Sequence, residues 1–483
     1  MKIILAGHNV DYEVIRECRA ALEGEDRLTP ETLCAAYARI SRNPLPVDEL
    51  RAAAREEVEK ARQSNRTIVF GMGHSSIAEH AVFNIDILGV SRLAVEEIEK
   101  FRLCSYTEKS QRYIRLEDDF VIPREVRDGG LEGLFVDTVK EQNALYHELY
   151  AALKEHLFEK HRDMVAADPS NRPTVDGWAK EDARYIVSLA THAQLGMTLN
   201  ARNLELMLRR SAAHALAEVN EYGKNLYEAT GGIAPSLIRY TEATLFDRET
   251  REDLKRQAAS LDTSKQGGAA VGRDGNVTLL HATPEGDETI VAALLHSSSD
   301  LPLESCMAAS RAMDRQKKEE IVRTACRRMQ VYDPPLREFE HAGFLFEVVA
   351  SSSCFAQLKR HRMATITCQE YNPSLGVTIP PSICEVGMEG RFMEIISRTE
   401  EAYRRIRAAA PPAAPYVLTN AHRKRVALRA NVRELYHISR LREDRHAQWD
   451  IRETAERMVR LGREAMPLAL MLAAGKDAFV PIP

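Results

Sequence analysis

The chain has 483 residues, 44% of them hydrophobic and 28% charged, and a formal net charge of −5. That length holds two or three domains, each with its own core, and the composition is that of a globular protein. The charge balance excludes a general attraction to nucleic acid or to an anionic membrane, although local arginine clusters can still take a small phosphate-bearing ligand.

The opening Met1-Lys2-Ile3-Ile4-Leu5-Ala6-Gly7-His8 lacks the longer apolar core of a signal peptide. The longest apolar run, Met466 to Ala474, is too short to span a bilayer. None of the eight cysteines forms a Cys-x-x-Cys pair or a zinc-spaced Cys/His cluster, so no metal is expected. A reducing cytoplasm is the expected setting.

In chain order, Glu79-His80 precedes Val82-Phe83-Asn84-Ile85-Asp86-Ile87, whose alternation predicts a half-buried strand. Leu93, Ala94, Ile98 and Phe101 then recur at helical spacing. They lead into Lys100-Phe101-Arg102, followed by Glu108, Ser110, Gln111 and Arg112. Long helices are expected at about Gly130–Lys160 and Glu181–Ala229. From about Ser260 to Asn276 the sequence is polar and Gly-rich with no hydrophobic period, which reads as a linker between a domain at 1–259 and another at 277–483. Beyond it the order repeats. Glu340-His341 precedes the strand-like Phe344-Leu345-Phe346-Glu347-Val348-Val349, then a short helix, then Arg360-His361-Arg362, and a long helix is expected over Ala430–Glu464.

The repeat is regular. His80 and His341 lie 261 residues apart, and Arg102 and Arg362 lie 260 apart. Asn200 and Asn431 lie 231 apart, and His214 and His446 lie 232 apart. Four landmarks in one order make this a tandem duplication rather than a solenoid. Arg360-His361-Arg362 can hold phosphates or polarise a carbonyl, although on charge alone a solvated basic face is the plainer reading. Ser110-Gln111-Arg112 offers a hydroxyl, backbone N–H groups and a guanidinium within one turn, which suits an anion. His446-Ala447-Gln448-Trp449 falls on an expected helix, where a lone histidine is more often packed than a ligand.

Together these motifs resemble the flavin-dependent thymidylate synthases. The first half carries Gly73-His74, Glu79-His80, Glu108, Ser110, Arg112 and Ala183-Arg184-Tyr185-Ile186 placed 16 residues before Asn200. The second carries Glu340-His341, Gln357, Arg360-His361-Arg362, Asn431, Arg433, and Leu441-Arg442 before His446-Ala447-Gln448-Trp449. The resemblance implies an α+β fold in two tandem copies, each a small sheet with long helices. It implies FAD as cofactor, dUMP as substrate, methylenetetrahydrofolate as carbon donor and NADPH as reductant. Nucleotide binding is implied for Glu108, Ser110, Gln111, Arg112, Arg184, Gln357, Arg360 and Arg442. Arg360, Arg442 and Ser110 would act in catalysis, with Ser110 bonding the nucleotide and not attacking it. Flavin binding is implied for His74, Glu79, Asn200, Arg202, Arg360, His361, Arg362, Asn431, Arg433 and His446.

Each copy also departs from the family pattern. Phe101 and Lys100 stand where the family has His and Arg. Cys368, Glu370 and Asn372 replace Glu, Ser and Arg, and Pro411 to Tyr416 shows no match to the Arg184 segment. The complementary losses imply composite sites, with the nucleotide side from the first half and the flavin side from the second. A homodimer would then mimic the family homotetramer. A related flavoenzyme acting on another nucleotide-type substrate, or a non-catalytic nucleotide- or flavin-binding relic, remain the other readings.

Overall fold

The computed structural model describes residues 1–21, 29–31, 34, 58–67, 75–112, 114–261 and 272–482. They form two compact units, and neither is one continuous stretch of chain. The first is Met1–Leu145, Val187–Thr263 and Glu394–Leu418; the second is Tyr146–Ile186, Ser264–Met393 and Thr419–Pro483. Each unit therefore includes a segment from the other half of the sequence.

In the first unit four antiparallel strands, β1 (Lys2–His8), β2 (Val82–Ser91), β3 (Ser105–Glu108) and β4 (His192–Asn200), lie in the order β1-β2-β4-β3. Alternation decides which face is buried. Phe83, Ile85 and Ile87 turn into the core while Asn84 and Asp86 face out. Leu204, Met207, Tyr222 and Leu226 of helices Ala201–Ala212 and Ala217–Thr230 cover that face. Each large side chain so buried stabilises by about 1.5–3 kcal/mol. The pairing of β1–β2 and β2–β4 is irregular, and at Gly89 the backbone takes φ +68°, a conformation glycine adopts without strain.

The second unit repeats the arrangement. Strands β5 (Gly272–Asp274), β6 (Val277–Ala282), β7 (Gly343–Ser351), β8 (Thr365–Cys368) and β9 (Arg423–Asn431) lie in the order β5-β6-β7-β9-β8. Phe344, Phe346, Val348, Val426 and Leu428 meet Leu435, Ile438 and Met458 of helices Val432–Arg442 and Trp449–Ala465. The register repeats too: Val82 pairs with Asn200 as Gly343 pairs with Asn431. Two copies of one α+β fold are thus present. No described helix is long and apolar enough to cross a membrane.

Three expectations change. The long helix expected over 181–229 is interrupted by β4, because His192–Asn200 alternates with period two and Leu195, Met197 and Leu199 fill the sheet face. The helix expected over 430–464 is two helices separated at residues 443–448. At the linker, residues 262–271 lie outside the described residues, and Gly272–Asp274 instead forms β5. A two-residue turn with Gly275 at φ +55° joins it to β6.

Candidate functional site

In the second unit, Ser351 starts helix Ser352–Leu358 by accepting the Cys354 N–H at 3.0 Å. The turn after that helix carries Arg360-His361-Arg362. His361 is buried, Arg360 half-buried and Arg362 exposed. Helix Val432–Arg442 delivers Arg442 in its last turn. Its Nε donates to His361 Nε2 at 3.0 Å and its Nη2 to the Gln357 carbonyl at 3.1 Å. A guanidinium only donates. His361 Nε2 must therefore carry a lone pair, and the proton of the neutral ring sits on Nδ1. Burial, then the charges of Arg442 and His437, push the His361 pKa well below its ordinary value.

A buried polar chain continues from there. Gln357 Nε2 donates to Gln448 Oε1 at 3.4 Å, and Gln448 Nε2 donates to Tyr185 Oη at 2.9 Å. The Tyr185 hydroxyl donates to Asp450 Oδ2 at 2.9 Å, and Ser351 Oγ donates to the same oxygen at 2.6 Å. Arg184, beside Tyr185, is buried. Its Nε donates to the Glu181 carbonyl at 3.3 Å, and its own carbonyl accepts from Asn420 at 3.0 Å. Asp182 accepts from Ser382 Oγ at 2.6 Å and Trp449 Nε1 at 2.8 Å, while burial lifts its carboxyl to about 6. Within the second unit, one hydrogen-bonded network thus joins Arg442, His361 and Gln357 through Gln448 to Tyr185, the residue after Arg184.

In the first unit, Glu108 at the end of β3 forms a buried ion pair with Arg92 at 3.0 Å. Ser110 Oγ accepts the Arg112 N–H at 3.2 Å, so the clamp residues form a tight turn, with Gln111 buried between them. Glu97, at the position of Gln357, pairs with His214 at 3.2 Å. Burial alone would raise its carboxyl, but His214 and Lys100 hold it below the usual range.

Other expected ligands have structural partners. Asn200 and Asn431 cap their helices by accepting the N–H of Asn203 at 3.0 Å and of Glu434 at 2.7 Å. Arg202 pairs with Glu79 in one copy, and Arg433 pairs with Glu340 at 2.8 Å in the other. His446 is not on a helix: it is exposed in the turn before Trp449–Ala465, where Asp444 takes its backbone N–H at 2.9 Å. His74 lies outside the described residues.

Sequence reasoning passed over Tyr185, Glu434, Gln448 and Asp450. The repeat itself carried the signal. In the first unit Ser91 Oγ donates to Glu218 at 2.7 Å, and so does the Tyr416 hydroxyl at 2.7 Å. Ser91, Glu218 and Tyr416 correspond in order to Ser351, Asp450 and Tyr185. The Pro411–Tyr416 segment, read as unmatched, is therefore the counterpart of the Arg184 segment, with Pro415 in place of Arg184. Burial raises both carboxyls, Glu218 and Asp450. Among the described residues, no group of three or more His, Cys, Asp or Glu is placed to hold a metal.

A family model described as thymidylate synthase complementing protein matches residues 25–236 and again 278–468. The chain is similar to the UPF0159 protein of Thermoplasma acidophilum, 25% identical over 431 residues, which are 81% of this chain and 84% of the relative. It is also similar to a flavin-dependent thymidylate synthase of Clostridium tetani, 26% identical over 44% of this chain and 82% of the relative. The solved structure of thymidylate synthase X from Helicobacter pylori with FAD and dUMP aligns with 50% of this chain and 98% of that chain, at 19% identity and a TM-score of 0.30.

Proposed function

This chain belongs to the thymidylate synthase complementing protein family, and on that premise we propose that it is an FAD-dependent enzyme that reductively methylates dUMP to dTMP. The observation that carries the reading is the second-unit network, in which Arg442 is held by His361 and Gln357 and leads through Gln448 to Tyr185 beside Arg184. Arginines fixed by buried partners hold their charge in place without reorganising, which is what stabilisation of a developing anion requires.

In this reading Arg442 and Arg360 stabilise negative charge on the pyrimidine as electron density moves towards C5. Arg184 anchors the nucleotide within the same unit. Ser110, Gln111 and Arg112 form the nucleotide clamp of the first unit, with the Ser110 hydroxyl orienting the ligand and not attacking it. Glu108 holds its place through Arg92. The residues fit a flavin dinucleotide where Arg360 and Arg362 flank one turn, because paired guanidinium groups match a pyrophosphate. When bound, reduced FAD supplies the hydride, with NADPH as the proposed reductant and methylenetetrahydrofolate as the carbon donor. Asn200, Arg202, Glu79, Asn431 and Arg433 support this set from their capping and ion-pair positions. A cytoplasmic homodimer, two chains standing for four family subunits, completes the proposal.

The test is an absorbance spectrum of the purified protein with and without FAD, followed by dUMP titration. Bound flavin whose spectrum dUMP perturbs is expected, followed by dTMP formation in a full assay. Failure to bind flavin at saturating FAD overturns the enzyme reading. Flavin binding without any response to dUMP leaves a flavoenzyme of another substrate.

A further inference from the structure

We propose that Glu434 and His361 form a positioning pair whose task is to aim the Arg442 guanidinium at the substrate. This rests on the reading of Arg442 given above. The His361 tautomer is dictated by Arg442, which occupies Nε2 as a donor at 3.0 Å and so leaves the proton on Nδ1. That Nδ1 faces Glu434 Oε1 at 3.5 Å. Both atoms are buried, and neither has a hydrogen-bond partner among the described residues. Two complementary buried orphans facing each other are each other's natural partner, since a buried polar atom left unmet is costly.

Glu434 has an alternative that it does not use. It occupies the third position of helix Val432–Arg442, where a glutamate commonly turns back to bond the N-cap backbone. Here its Oε1 faces the imidazole Nδ1 instead. His437 closes the other side of the ring, with centroids 5.5 Å apart in an edge-on arrangement. The ring thus faces an acid at Nδ1, accepts from an arginine at Nε2 and meets a second imidazole at its edge. Arg442 is held in turn at Nε by the ring and at Nη2 by the Gln357 carbonyl.

The duplication supplies an internal control. In the first unit the position of His361 is Phe101, that of Glu434 is Asn203 and that of His437 is Leu206. Asn203 there bonds back to its own cap, Nδ2 to Asn200 Oδ1 at 2.8 Å. At the same helix register the position of Arg442 is Ser211. Where the imidazole is absent, the acid and the arginine are absent too.

Two measurements decide the matter. Histidine-selective 15N NMR of the ligand-free protein, assigned with His361→Phe, should show His361 neutral with its proton on Nδ1. A proton on Nε2, or an imidazolium at neutral pH, overturns the pair whether or not the protein binds flavin. Steady-state kinetics should show that Glu434→Ala lowers kcat by about 10- to 100-fold, the loss expected of a misplaced catalytic group, with KM for dUMP little changed. Glu434→Gln, whose carbonyl oxygen can still accept from Nδ1, should recover most of that loss. The double variant His361→Phe with Glu434→Asn recreates a pair that this fold already accommodates. It should fold by circular dichroism and lack the activity. Wild-type kcat in Glu434→Ala or in the folded double variant overturns the proposal. A wild-type protein without dUMP turnover overturns the enzyme reading instead, and the NMR result still judges the pair.

Discussion

His422 shows what burial does to a single residue. Its Nδ1 accepts the Thr419 N–H at 2.9 Å, the side chain is fully buried, and burial pushes its pKa down to about 3. An unfolded imidazole titrates near ~6.5. Between those values the unfolded chain binds a proton that the folded chain refuses, so the His422 contribution is complete above about 6.5 and is lost as pH falls towards about 3. Replacing His422 with Asn should flatten the acid side of the stability profile across that window, read by urea unfolding at a series of pH values. Single residues were also where the sequence was most and least informative. Arg360-His361-Arg362 stood out by charge and by its place in the repeat, and Gln357 through the family resemblance. Tyr185 did not, because its partner Asp450 lies 265 residues away, and a hydroxyl's role is set by a partner that local sequence does not reveal.

At the scale of elements, strand and helix periods were legible wherever one face is buried. Val82–Ser91 and Gly343–Ser351 announced themselves by alternation, as did helix Glu132–Lys160 by its length. The period-two run at His192–Asn200 was hidden between helical segments, and its pairing with β2 and β3 makes it a strand. The two asparagines at the ends of β4 and β9 have a structural task that motif reading did not state. Their side chains close helix N-termini. Asn431→Ala should therefore lower stability by about 1 kcal/mol, measured by chemical denaturation of the ligand-free protein. An unchanged midpoint would show that the cap contributes nothing.

For the whole molecule, the duplication was legible from four landmarks, but the exchange of segments was not. No local pattern tells a chain which copy its Tyr185 or Tyr416 serves. The structure gives Tyr185 to the acid of the second half and Tyr416 to the acid of the first. A protease site engineered between residues 262 and 271 tests this directly. After cleavage the two fragments should co-elute on native size exclusion and separate only in denaturant, because each compact unit contains chain from both fragments. Separation under native conditions would contradict the assignment of segments.

The reciprocal loan of tyrosines has a historical corollary. An ordinary tandem copy can be discarded once it decays, since the survivor folds alone. Here each repeat completes the interior of its sibling, so deleting either one would leave the other with a missing piece. The lineage could then let residues such as Phe101 or Glu370 drift away from their ancestral identities and still be unable to return to a single-copy gene.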